Sequence, residues 1–140
     1  MLKPYITKKI LIIEAISFIM ALVSVIMALI LFLTAKESSE VLFLVLILFL
    51  TCIIVVVVIH FAPVRFWNMP VKVNPAKANI VYRDAAEMTA LTNLEIAVFS
   101  IVVVLGYSIE NIEKYASIFL VGATIVTVVI GYTKIIIHNK

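Results

Sequence analysis

The sequence predicts an all-α integral membrane protein: a four-helix transmembrane bundle with one interfacial amphipathic helix in the middle cytoplasmic loop. Three observations predict it. The chain of 140 residues is 65% hydrophobic and only 14% charged, whereas a soluble domain is about half apolar and about a quarter charged. The apolar residues are gathered into four runs long enough to cross about 30 Å of hydrocarbon as helices. The Lys and Arg residues are sorted to one side of those runs. A soluble globular domain and a disordered chain are both excluded by this composition.

The first span is expected over about residues 10–35, interrupted only by Glu14 and small polar residues. Lys3, Lys8 and Lys9 precede it, as they would a signal peptide. Its apolar run exceeds the roughly 7–15 residues of a signal h-region, so an uncleaved span is expected. The second span, about 41–60, has no charge in it. The third runs over about 90–109 and contains Glu95, and the fourth over about 115–137 with Lys134 near its end. Lipid leaves the backbone no water to bond, so spanning segments are helices or closed barrels. Barrel strands would be short and alternating; these runs are long and apolar on all sides.

Four spans with both termini in the cytoplasm satisfy the positive-inside rule. Nine of the 11 Lys and Arg residues then lie inside: Lys3, Lys8, Lys9, Arg65, Lys72, Lys77, Arg83, Lys134 and Lys140. The two tight hairpins hold Lys36 and Lys114, with four glutamates beside them. This predicts a multi-pass protein of the cell inner (plasma) membrane. Tyr107 and Tyr115 are expected as outer interface anchors, with Trp67 and Tyr132 as inner ones, alongside Tyr5 and Phe66.

The middle segment, residues 61–93, holds Pro63, Pro70 and Pro75, which prevent a helix through its first half. Phe66, Trp67 and Met69 are expected on the headgroups. Asn74-Pro75 reads as a helix start, because Asn caps well and Pro fits the first helical position. An amphipathic helix is expected over about 75–89, continuing or bending into the third span. Ala78, Val81, Ala85, Met88 and Leu91 form its apolar stripe. Lys77, Arg83, Asp84 and Glu87 fill its other positions.

The run Trp67-Asn68-Met69-Pro70-Val71-Lys72-Val73-Asn74 is followed by Ala78-Asn79, Tyr82-Arg83, Met88 and Leu94-Glu95-Ile96. This pattern, about a quarter of the chain, resembles a domain-of-unknown-function family of small bacterial multi-span membrane proteins. That family is related to the immunity protein of the sporulation-delaying toxin. The family's Pro-rich extracytoplasmic loop and His-Phe-Asn-type motif are absent here, and the hairpin from Lys36 to Glu40 is too short to hold them. The resemblance implies several spans, an Asn-x-Pro-Val-Lys-like loop and a short helix bearing a Tyr. It does not by itself carry the immunity function.

Ionisable residues inside a span are functional candidates. Glu95 lies 14 residues before Ile109, roughly 21 Å by helical rise, within the cytoplasmic part of the core. Glu14 belongs to a stripe with Ser17, Ala21, Ser24 and Ala28, stepping by three and four. Such small stripes let membrane helices approach closely. Ala123, Thr127 and Gly131 form a second stripe on the fourth span. Spans one and four are therefore expected to pack together, and span two to be the most lipid-exposed. Burial favours the neutral form of a carboxyl, so Glu14 and Glu95 form a candidate proton or ion site. The alternative is that each acid is paired and fixes helix register. His60 and His138 stand at the ends of spans two and four, within reach of these acids.

One cysteine, Cys52, allows no intramolecular disulfide, and no metal-ligand spacing is present. No catalytic motif, phosphate loop or dinucleotide fingerprint appears, and three glycines cannot build a phosphate cradle. No cofactor and no enzyme activity are expected. The net charge of +3 is distributed by membrane side and does not point to nucleic acid. Two function classes follow. One is a non-catalytic accessory or immunity-like protein that binds a membrane protein or peptide. The other is an oligomeric proton- or cation-coupled small transporter using the two carboxylates. The bilayer is the first partner in either case, and 140 residues suit a homo-oligomer.

Overall fold

A computed structural model describes residues 3–35, 39–108 and 112–140. Four long helices fill them: α1 (Lys8–Ala35), α2 (Ser39–Phe61), α3 (Ala78–Ser108) and α4 (Ile112–Asn139). Each is long and apolar enough to cross a membrane. Among the described residues there is no strand. A helix covers each apolar run, and each extends a few residues beyond it except α3, which begins much earlier.

Polar capping and proline placement explain the long connection between α2 and α3. Pro63 and Pro70 restrict it to one short 3-10 turn, Val64–Phe66. A second 3-10 turn, Pro75–Lys77, leads directly into α3. The Asn74 side chain accepts from the backbone N–H of Ala76, with Pro75 at the first turn position. Residues 75–89 are thus helical as expected, but they form no separate element. They are the opening turns of a 31-residue helix, roughly 47 Å long by helical rise. About 30 Å of that suffices for a hydrocarbon core.

Neighbouring helices are antiparallel, so α1 and α3 run parallel. One end of the bundle carries the chain termini and the α2–α3 connection, and is called the terminal end below. The other carries the two short hairpins. The closest pairing of non-consecutive helices is α1 with α3, not α1 with α4. The α1 stripe of Glu14, Ser17, Ala21, Ser24 and Ala28 is buried as expected. It faces a stripe on α3 that the sequence pattern did not single out: Ala86, Ala90, Asn93, Ala97 and Ser100, all buried. Two facing rows of small side chains let these parallel helices approach. The Ser100 hydroxyl donates to Ser24 Oγ at 2.7 Å, linking the two rows.

Exposure also differs from the expectation that α2 faces lipid most. α2 packs on both α1 and α3, whereas α4 packs mainly along α3, with the α2–α3 connection over its last turns, and buries the smallest share of its residues. Val45, Cys52 and Ile59, each seven residues apart, are the buried seam of α2. That seam consists of ordinary apolar residues, so counting small residues missed it. The α4 stripe of Ala123, Thr127 and Gly131 does face a helix, but the helix is α3. A Cβ added at Gly131 would come under 3.0 Å from Met88 side-chain atoms. The glycine is what admits Met88 between α3 and α4.

Candidate functional site

Polar side chains inside the bundle cluster at the terminal end. Glu14, in the second turn of α1, is 5% exposed. Its Oε2 lies 2.7 Å from His60 Nε2, near the end of α2. Its Oε1 is buried without a hydrogen-bond partner among the described residues. Asp84, also 5% exposed, pairs with His138 Nδ1 at 2.5 Å and with Arg83 at 3.6 Å. Glu87 pairs with Lys9 of α1 and stands 3.9 Å from Lys134 of α4.

The two acid–histidine links occupy matching places. Glu14 and Asp84 are each the seventh residue of the helix that opens a hairpin, and His60 and His138 are each next to last in the helix that closes it. Each link therefore ties the open end of one hairpin, where no short turn holds the helices. Asp84 lies outside the apolar stripe read from the sequence, yet it is buried. The apolar stripe beside it explains its burial: Val81 and Ala85 pack against Ile135 of α4, with Met69, Val71 and Val73 over them. That packing turns Asp84 inward as well.

The connection is strapped to the same end. Asn139 accepts from the Asn74 N–H at 2.8 Å and donates to the Lys72 carbonyl at 3.0 Å. The Lys3 ammonium donates to the Ala62 carbonyl at 2.7 Å. Trp67, expected as an interface anchor, is turned inward. Its ring meets Tyr5 at 5.4 Å and Tyr82 at 6.2 Å, both edge to face. Phe66, Tyr115 and Tyr132 do point outward. The side chain of Tyr107 lies outside the described residues.

Glu95 stands elsewhere. It is half-buried near the middle of α3 and accepts from the hydroxyls of Thr124, at 3.0 Å, and Thr127 of α4. No Lys, Arg or His pairs with it among the described residues. It lines a cleft of about 200 Å³ whose other walls are apolar, including Phe99, Phe119 and Ala123. Glu14 and Glu95 are therefore not brought together. One belongs to the α1–α2 interface and the other to α3–α4, and none of the described clefts is lined by both.

Glu14, Glu95 and the two small stripes stand out in the sequence, but the helix that the α4 stripe faces does not. Sequence reasoning missed the acid–histidine pairings in detail, because the partners are 46 and 54 residues apart. It also missed Asn93, which is buried and donates to the Cys52 carbonyl at 3.3 Å. Its place in the small α3 stripe was the available signal. Among the described residues no group of acids, histidines and cysteine is arranged to hold a metal ion.

Fold and polar groups together define a helical bundle with the composition of a multi-pass membrane protein. No protein-family model, no curated protein and no solved structure matches the chain.

Proposed function

We propose that the protein is a non-catalytic inner-membrane protein that binds a membrane-embedded partner or peptide. In this reading it is an accessory or immunity-like component, with its terminal end in the cytoplasm. The observation that carries it is Glu95. The carboxyl sits at mid-depth on the flank of the bundle, in an apolar cleft, held by two threonines and, among the described residues, by no cation. An ionisable group at that depth is costly and calls for a partner. A basic or hydrogen-bonding side chain on a second helix would complete it. The neighbouring face of α4 supports close approach, because a Cβ added at Gly122 would meet nothing.

Orientation rests on charge. Every Lys and Arg whose side chain is described lies at the terminal end, and that end belongs inside by the positive-inside rule. In this frame the opening turns of α3 rise through the inner interface, the role expected of the amphipathic segment. A transport role through Glu14 and Glu95 would need a path joining them, and no described cleft is lined by both.

The test uses the protein in phosphatidylcholine vesicles, in a Cys52→Ala background with a donor dye at Ile125→Cys, which is exposed on α4 outside the cleft lining. Acceptor-labelled Leu/Ala helices carry Lys or Leu at mid-span. Energy transfer to the Lys helix, lost on Glu95→Gln, is the expected result. Equal transfer to both helices sinks the reading. Orientation is checked separately by labelling a cysteine at Ser39 from outside, and one at Lys77 only after permeabilisation; the reverse pattern overturns it.

A further inference from the structure

We propose that the cleft between α1 and α2 binds a lipophilic primary amine, with its ammonium on Glu14 and its apolar body between the helices. This site is separate from Glu95, and the proposal does not depend on the reading above. The cleft has a volume of about 320 Å³ and is lined by Glu14, Ala15, Phe18, Ile53, Val56 and Val57. Five of those six residues are apolar, and Glu14 is the only polar one.

The occupant is specified by what Glu14 lacks. Oε2 is taken by His60, while Oε1 is buried with no partner among the described residues. A buried polar atom without a partner is uncommon in folded proteins, and each one calls for an explanation. The other lining residues offer no donor, since their side chains are all hydrocarbon. A donor entering by the cleft would supply what its lining does not. Because the site is a carboxyl, an N–H carried on a cation makes the stronger bond. A quaternary ammonium brings the charge without the donor, and so leaves Oε1 unmet.

Depth selects among amines. Glu14 lies six residues past the first residue of α1, roughly 9 Å along the helix. Phe18 continues the wall one turn deeper, and it is 45% exposed on the outer surface of the bundle, beside Val57 at 47%. The cleft thus opens sideways, where a molecule dissolved in lipid would enter. An alkyl amine places hydrocarbon directly below its nitrogen, which matches the order of carboxyl and apolar wall. In an aminophospholipid the phosphate lies between the ammonium and the chains. Seating its ammonium on Glu14 would drive that phosphate into the apolar wall. A free amine fits and a headgroup does not.

The test places the full chain in nanodiscs of phosphatidylcholine, which has no primary ammonium. A hexylamine carrying a terminal diazirine is photolysed, and labelling is mapped by mass spectrometry. Labels on Phe18, Ile53 or Val57 are expected. Unlabelled hexylamine should compete at least tenfold better than its trimethylammonium analogue, and Glu14→Gln should reduce labelling at least tenfold. Circular dichroism and Lys9–Glu87 cross-linking verify that the variant is folded. A second variant, Ile53→Trp, fills the cleft without touching the acid and should also abolish labelling. Equal competition by the quaternary analogue overturns the proposal, as does labelling unchanged in both variants. If phosphatidylethanolamine nanodiscs suppress the labelling, the occupant is a lipid headgroup and the free-amine assignment fails.

Discussion

Both ends of this bundle have apolar packing, but among the described residues only one adds polar ties between its helices. At the terminal end, the apolar clusters around Ile10 and Ile135 are joined by charged and hydrogen-bonded pairs: Glu14–His60, Asp84–His138 and Glu87 between Lys9 and Lys134. Toward the hairpin end, Ala28, Val45, Val103 and Val104 form an apolar cluster with Val25, Leu31 and Phe99 around it. The covalent geometry explains the division. Three-residue links join α1 to α2 and α3 to α4, so each hairpin is tethered at one end already. At the other end the helices are free to splay, and specific pairs hold them. In lipid such pairs are directional, whereas apolar contact is exchangeable for lipid contact.

The strongest way to break this arrangement is at His60. His60→Leu would leave Glu14 buried with neither oxygen partnered. Stranding a buried acid after removing its partner costs about 3 kcal/mol. Unfolding in mixed dodecyl sulfate–maltoside micelles, followed by circular dichroism, should show that loss. The double replacement Glu14→Leu with His60→Leu should recover most of it, because both polar partners are then gone. The corresponding change at the other clamp, His138→Leu, should cost less. The His138 side chain is 42% exposed, so water reaches the site and satisfies what remains. Equal costs at the two histidines would refute the ranking of the clamps by burial.

A smaller effect is expected where α4 meets α3. Gly131→Val puts a branched side chain against Met88, whose side-chain atoms leave under 3.0 Å even for a bare Cβ. Overpacking of this kind costs about 1–3 kcal/mol. Met88→Ala in the same chain should relieve it. Gly122→Ala provides the contrast, because its added methyl meets nothing within 4 Å. It should be neutral or stabilising, since alanine favours helix over glycine by about 1 kcal/mol. A loss at Gly122 equal to that at Gly131 would mean that α4 has a second neighbour on its outer face.

The reach of the sequence differs between these regions for physical reasons. Hydropathy and charge sorting are properties of whole segments, so four apolar helices could be read directly, but not that α3 runs unbroken from Ala78. Helix faces were readable where small residues marked them, as in the Ser17-Ala21-Ser24 row. The partner of a face was not readable, because small rows on α1, α3 and α4 are mutually compatible and only three-dimensional packing chooses among them. The buried acids show the same limit. Glu14 announced itself as a charge within an apolar run. Asp84 sat among Arg83 and Glu87 and looked like surface, until Val81 and Ala85 fixed which side of α3 turns toward α4.

The smallest effect sharpens the comparison at mid-depth, where the two chemistries meet. The Ser24 hydroxyl donates to the Ala21 carbonyl at 2.7 Å and accepts from Ser100. Replacing either serine by alanine keeps the Cβ, so the α1–α3 approach is preserved and only the bond is lost. Interhelical hydrogen bonds in membrane proteins average about 0.6 kcal/mol. Ser24→Ala and Ser100→Ala should each cost about that much, and the double variant little more than either, because they remove one shared interaction. Additive losses would mean that each serine acts through its own backbone bond instead. A loss several times larger would mean that the register of the two parallel helices depends on this bond, and that small-residue packing alone does not hold them.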